Sequence, residues 1–180
     1  MNKMLVSLLL FALPALNAWA QPLQVPGPLV ETDWLEAHLS DVTLLDVRDD
    51  IDSFTRRAVL VRKRFTGDLR LEQAGAHIPG AVLVDFESIR TSRMVGDLEI
   101  RQMLPEKSEF EKLMQGWGVD RDDAIVITAM GADNSDMTLA TRLYWQIKYF
   151  GHDNVAILDG GTAQWLLEER QASIEPSAPQ

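Results

Sequence analysis

The stretch Ala124-Ile125-Val126-Ile127-Thr128, followed by Ala129-Met130-Gly131-Ala132-Asp133-Asn134-Ser135-Asp136, decides the fold. Five apolar or β-branched residues ahead of a Gly-containing loop read as a strand buried on both faces. Beyond the loop, Leu139, Leu143, Ile147 and Phe150 recur at helical spacing, which predicts a helix over 135–149 closed by Gly151. A buried strand running into a loop and a helix N-terminus is where α/β proteins often place chemistry. Here that position offers no strong nucleophile, because the 180 residues contain no cysteine and Ala129 stands where the strand ends.

Working outward, the same strand signature recurs at Val42–Val47, Ala81–Asp85 and Asn154–Leu158. Helices are expected over 32–39, with Asp33 as an acidic N-cap candidate and Glu36 at the third helical position, and over 105–116, with Pro105 in the first turn. A last short helix, 162–169, follows the tight turn Asp159-Gly160-Gly161. His77-Ile78-Pro79-Gly80 is a turn, with proline presetting one backbone angle and glycine permitting a positive one. Residues 86–104 read as irregular. Residues 48–76 read as a solvated excursion or small hairpin, in which Arg56, Arg57, Arg62, Lys63, Arg64 and Arg70 surround the apolar run 58–61. A sharper reading makes this basic segment a contact surface for an acidic partner or a second domain. Alternating helices and short apolar strands predict one α/β domain with a mainly parallel central sheet flanked by helices.

A hydrophobic content of 46% is globular, and a formal net charge of −10 disfavours nucleic acid and anionic membranes, both of which need positive potential. Residues 1–20 carry the pattern of a cleavable secretory signal: Lys3, an apolar run from Met4 to Leu16, then Ala18-Trp19-Ala20. That run is about 13 residues, short of the roughly 20 that span a bilayer, and Pro14 interrupts it. Cleavage after Ala20 would export the chain to the periplasm or exterior, with no membrane association afterwards. The expected organisation is then a lead-in linker over 21–29, a domain over 30–172 and a polar tail over 173–180. Without cysteine, disulfides, thiolate metal sites and iron–sulfur clusters are excluded for these residues.

Several of these pieces together resemble a rhodanese-like domain. The matching stretches are Leu44-Leu45-Asp46-Val47-Arg48, His77-Ile78-Pro79-Gly80-Ala81, and Leu158-Asp159-Gly160-Gly161 with Trp165. Arg142-Leu143-Tyr144-Trp145 through Gly151-His152, and the long segment before His77, look like the first half of tandem-domain thiosulfate sulfurtransferases. No cofactor is expected. The resemblance implies that active members carry a cysteine at the end of the strand matching 124–128. Its thiolate takes sulfur from a donor and passes it on as a persulfide, stabilised by loop N–H groups and a helix N-terminus.

By this resemblance Ala129 holds the cysteine position, and Ala129, Met130, Gly131, Ala132, Asp133 and Asn134 form a vestigial active-site loop. A methyl group cannot attack sulfur, and the thioether of Met130 cannot ionise. Asp133 and Asp136 would oppose a second negative charge there, or would serve the helix cap, for which Asn134, Ser135 or Asp136 is suited. Asp46 and Arg48 at a strand end could form a catalytic pair; the resemblance instead implies that they are structural, Asp46 bonding loop backbone and Arg48 pairing with an acid. Pro79, Gly80, Asp159, Gly160 and Gly161 complete the structural motif.

The remaining candidates have simpler explanations. His38, His77 and His152 show no metal-ligand spacing, and His77 is expected to hydrogen-bond backbone. Trp34, Trp117, Trp145 and Trp165 are expected to pack in the core. The leading expectation is an exported, catalytically inactive domain. It would act as a structural or docking half of a sulfurtransferase system, with a catalytic rhodanese domain or another protein as partner. The basic segment over 56–70 and the polar tail are the expected contact places. One alternative is a thiosulfate sulfurtransferase whose catalytic second domain lies outside this chain. The other is a binding module for a small sulfur-containing anion.

Overall fold

A computed structural model describes residues 22–177, so the expected signal over 1–20 and the last tail residues lie outside the described residues. In chain order the elements begin with β1 (Leu29–Val30), α1 (Thr32–Ala37), β2 (Val42–Arg48), a 3-10 turn (Ile51–Phe54), β3 (Val59–Arg62) and β4 (Leu69–Gln73). Next come β5 (Val82–Asp85), β6 (Thr91–Val95), β7 (Leu98–Met103) and α2 (Lys107–Gly116). The chain continues through β8 (Ala124–Thr128), α3 (Asn134–Tyr149), β9 (Val155–Leu158) and α4 (Gly161–Leu167). Five strands form one wholly parallel sheet in the order β1-β9-β8-β2-β5. The pairs β3–β4 and β6–β7 are separate antiparallel hairpins. The predicted α/β fold with a mainly parallel sheet is the one observed.

The period-two geometry of strands divides the core. Leu45, Val47, Val82, Val84, Ile125, Ile127, Val155 and Ile157 line one face, under Phe110 of α2 and Leu139, Ala140, Leu143 and Ile147 of α3. Leu44, Val126, Ala156 and Leu158 line the other, against Leu35 of α1, Phe54, Ile78 and Trp165 of α4. Every residue of β8 is buried, as a central parallel strand covered on both faces requires.

Several local expectations change. Asp33 does not cap α1; Glu31 holds that position without a side-chain bond, and Asp33 instead pairs with Arg170. Helix α2 begins after Pro105, because Glu106 and Glu109 form a reciprocal capping box at its start. Residues 86–104 are not irregular: β6 and β7 pair across a turn with Gly96 at φ 62°. Most of that hairpin is exposed, so no apolar alternation marks it in the sequence. Leu29 and Val30, read as linker end and domain start, form a two-residue edge strand on β9.

The basic excursion is a hairpin, but not one solvated all round. Its Leu60 and Leu71, with Ala58 and Ala74, pack on Met130, Ala163 and Leu166. Trp117 and Trp165 are buried as expected, while Trp34 is half-buried. Trp145 is 47% exposed, because the buried stripe of α3 runs through Leu139, Leu143 and Ile147 and leaves it outside. The tail does not hang free where it is described: Ser173 exchanges two backbone hydrogen bonds with His77, each 2.9 Å.

Candidate functional site

Parallel pairing sets the ends of β2 and β8 side by side, with Asp46 opposite Thr128. The loop 129–133 leaves that edge and enters α3. Asp133, rather than Asn134, Ser135 or Asp136, caps the helix: its carboxylate accepts N–H bonds from Ser135 at 2.7 Å and Asp136 at 3.3 Å. The Ser135 hydroxyl donates to the same oxygen at 2.5 Å. Asp133 is better placed than its neighbours because its extended backbone precedes the first helical turn. Asp136 reaches back, its Oδ2 accepting the Ala132 N–H at 2.8 Å. Three loop donors, at 132, 135 and 136, are thus committed to the chain's own carboxylates.

The two acids respond differently. Hydrogen bonds from the Ser135 hydroxyl, then from backbone N–H groups, hold the Asp133 carboxyl below the usual carboxylate range. Burial pushes Asp136 above it, with the charges of Asp133 and Asp49 adding in the same direction. A further anion at this loop would meet that same repulsion.

The floor of the loop is backbone packed on backbone. Gly131 has φ 73°, and a Cβ there would lie 2.5 Å from the Gly160 carbonyl oxygen. A Cβ on Gly161 would lie 2.6 Å from the Ala129 oxygen. The contact lets the Thr162 and Ala163 N–H groups donate to the carbonyls of Ala129 and Met130, at 2.9 and 2.7 Å. The turn Asp159-Gly160-Gly161 is therefore a docking edge for the loop. Neither candidate side chain is open: Ala129 is 1% exposed within the α3-side core, and Met130 is 5% exposed beneath the β3–β4 hairpin.

Asp46 and Arg48 form the buried charge of the site. Two residues apart on a strand, they project to the same face and meet as a fork, Nε to Oδ1 at 2.9 Å and Nη2 to Oδ2 at 2.7 Å. The acid that Arg48 pairs with is thus Asp46 itself. Asp46 does not spend its carboxylate on loop backbone, as the resemblance implied; Oδ2 also accepts the Thr162 hydroxyl at 3.4 Å. Arg48 further donates to Ser53 Oγ at 2.9 Å and to the Ala76 carbonyl at 2.7 Å. The hydroxyls of Thr128 and Thr162 lie 3.2 Å apart and carry the network to the loop, where Thr128 Oγ1 donates to the Ala129 carbonyl at 3.1 Å. Thr128, Thr162 and Ser53 were not singled out from sequence, since an isolated buried hydroxyl leaves no pattern there.

His77 stacks on Phe54 with ring centroids 3.7 Å apart, and its Nδ1 lies 2.8 Å from the Phe54 carbonyl. A carbonyl partner requires Nδ1 to carry the proton. Burial holds the imidazole below its ordinary pKa. Beside it, the Ala81 N–H donates to Ile78 at 3.1 Å across Pro79 and Gly80, whose φ is 83°. His77 thus bonds backbone, as expected. Among the described residues, no group of His, Asp or Glu is arranged to hold a metal ion, and no helix is long and apolar enough to cross a membrane.

The sequence profile of the rhodanese-like domain matches residues 31–168. The sulfur carrier protein TtuD of Thermus thermophilus is 33% identical over 157 residues, covering 86% of this chain and 45% of that protein. A putative thiosulfate sulfurtransferase, SseA of Mycobacterium tuberculosis, is 32% identical over 162 residues, covering 90% of this chain and 44% of that one. The chain thus spans less than half the length of either relative. The crystal structure of SseA from Escherichia coli superposes with a TM-score of 0.60 at 23% identity, covering 85% of this chain and 54% of that one, a likeness of fold. By its profile match and by these relatives, the chain belongs to the family of rhodanese-like domains.

Proposed function

We propose that this is an exported rhodanese-like domain that does not transfer sulfur by itself and serves as a structural or partner-docking half of a sulfurtransferase system. The observation that carries the reading is the loop after β8. By the family resemblance Ala129 holds the position of the nucleophile; it is buried and has no reactive group. The N–H groups that would cradle a persulfide are held by Asp133 and Asp136. A site built this way has neither reagent nor room for the charge the reagent would carry. The basic β3–β4 hairpin and the periplasmic or secreted location suggested by residues 1–20 belong to the same reading.

The direct test measures sulfur transfer from thiosulfate to cyanide by the purified chain. Rates at the uncatalysed background are expected, and clear turnover would overturn the proposal.

A second reading is favoured by the short span against the curated relatives. In it, the chain is the first half of a thiosulfate sulfurtransferase whose catalytic domain is encoded beyond Gln180. Sequencing the reading frame past that residue tests this. A second His-x-Pro-Gly turn followed by a strand-end cysteine is expected on this reading; a stop codon sinks it.

A further inference from the structure

We propose that the exposed face of the β6–β7 hairpin, continued by Trp145 and Tyr149 of α3, packs about a two-fold axis on the same face of a second copy of this chain. Six of the eleven large apolar side chains that stand exposed among the described residues lie on these three elements. Scattered apolar side chains are ordinary on a surface, whereas a contiguous group of them marks an interaction site.

Strand register makes the group contiguous. Val95 pairs with Leu98 and Arg93 with Ile100, and side chains two apart on a strand share a face, so these four look the same way. Arg93 also lines a recess of about 400 Å³ with Met103, Leu104, Pro105, Tyr149 and Phe150. Trp145 lies beside Tyr149, with ring centroids 5.6 Å apart. Arg142, over the Trp145 ring, donates to the Gln102 carbonyl at 3.0 Å and ties α3 to β7. Val95, Leu98, Ile100, Trp145 and Tyr149 are each 38–65% exposed.

The hairpin lacks a cover of its own. No residue from Thr91 to Met103 is buried, and β6 and β7 form a sheet only with each other. Two strands without a packed face are marginal in water, and further strands or an apolar layer are needed to hold them. A second copy of the same hairpin supplies that layer, and receives it in return.

Charge selects a copy as the occupant. At a net charge of −10, two copies repel over most of their surface. On this face Arg93 pairs with Glu106 at 2.7 Å, Arg101 with Glu99 at 2.9 Å and Lys107 with Glu111 at 3.6 Å. Beside Tyr149, Lys148 pairs with Asp153 at 2.8 Å. Asp97 in the hairpin turn and Arg142 are of opposite sign. A face that meets itself must be close to neutral, because a two-fold contact doubles any charge it carries. An apolar and aromatic centre with a rim of paired ions is the anatomy of a subunit interface.

Sedimentation velocity on the purified chain from about 1 to about 100 µM tests this, together with hydrogen exchange of the 91–103 amides. A dimer dissociating in the micromolar range is expected, with slower exchange of those amides at the higher concentration. Leu98→Glu, at an exposed position, should weaken the dimer about a hundredfold or more, since each copy would carry an unpaired carboxylate into an apolar contact. Phe65→Ser, on the other hairpin, should leave it unchanged. A monomer at about 100 µM would overturn the proposal and leave the face to a different protein. A dimer that Leu98→Glu leaves intact, or that Phe65→Ser dissolves, would overturn it as well. If Leu98→Glu does not fold, Tyr149→Ser decides: several-fold weaker association supports the face, and unchanged association overturns it. None of these outcomes bears on sulfur transfer, which the activity of the purified chain decides separately.

Discussion

In the loop after β8, three backbone N–H groups already hold the carboxylates of Asp133 and Asp136. Beside the β6–β7 hairpin, Arg90 pairs with Glu87, and its buried Nε has no hydrogen-bond partner among the described residues. The first region resembles an anion cradle by its place in the fold and is filled by the chain itself. The second occupies no motif, and its one uncommitted donor is shut away from solvent. The contrast teaches that a loop at a strand end can keep its N–H groups occupied by the chain's own carboxylates. What a charged surface can bind is then decided by which donors remain uncommitted.

The largest effect should come from opening a closed charge site. Asp46→Ala would strand Arg48 in the core, at a cost of about 3–5 kcal/mol in urea unfolding. A loss comparable with that of an exposed pair would mean that water reaches the site. Next comes the floor of the filled loop. Gly131→Ala should cost about 1–3 kcal/mol from its left-handed backbone alone, and the clash with Gly160 adds to this. An unchanged unfolding midpoint would show that the loop and the 159–161 turn part easily.

A smaller effect lies in pH. The unfolded His77 takes up a proton near pH 6.5, whereas the folded one resists until lower pH. Its contribution is therefore present above about pH 6.5 and is lost as pH falls through the depressed folded value. Asp136, with its raised carboxyl, slopes the opposite way: its contribution is present below 3.8 and is lost as pH rises through the folded value. Urea midpoints taken from about pH 7.5 down to about pH 5 should fall, and His77→Gln should flatten the change. The smallest effect is expected from Ala129→Cys, which should leave thiosulfate-to-cyanide transfer near background because both acids still oppose a thiolate. Efficient transfer by this variant would make the loop a working cradle and break the contrast.

The sheet was legible because β2, β5, β8 and β9 are short apolar runs, and α3 because Leu139, Leu143 and Ile147 keep helical spacing. The β6–β7 hairpin was not, since it carries exposed residues on both faces and buries almost none. Within the loop, four consecutive polar residues each suit a helix cap, and only backbone direction selects Asp133. The pairing of Asp46 with Arg48 follows from strand geometry once both lie in β2, whose predicted end at Val47 left Arg48 outside.

Arg48 touches Ser53 and Ala76, one on each side of the β3–β4 excursion, and His77 bonds back to Phe54. The Ala76 N–H also donates to Arg56, and Gly75 lies so close to Arg56 that a Cβ would come within 2.6 Å of its carbonyl oxygen. The excursion is therefore tied at a neck, and the entropy of closing it is met there rather than along its length. Added chain at the tip, where Phe65 is 96% exposed, extends a loop whose ends are already joined. Doubling a flexible loop costs only about 0.6 kcal/mol. The tip of this hairpin is thus the place where the domain can accept a new sequence at little thermodynamic expense.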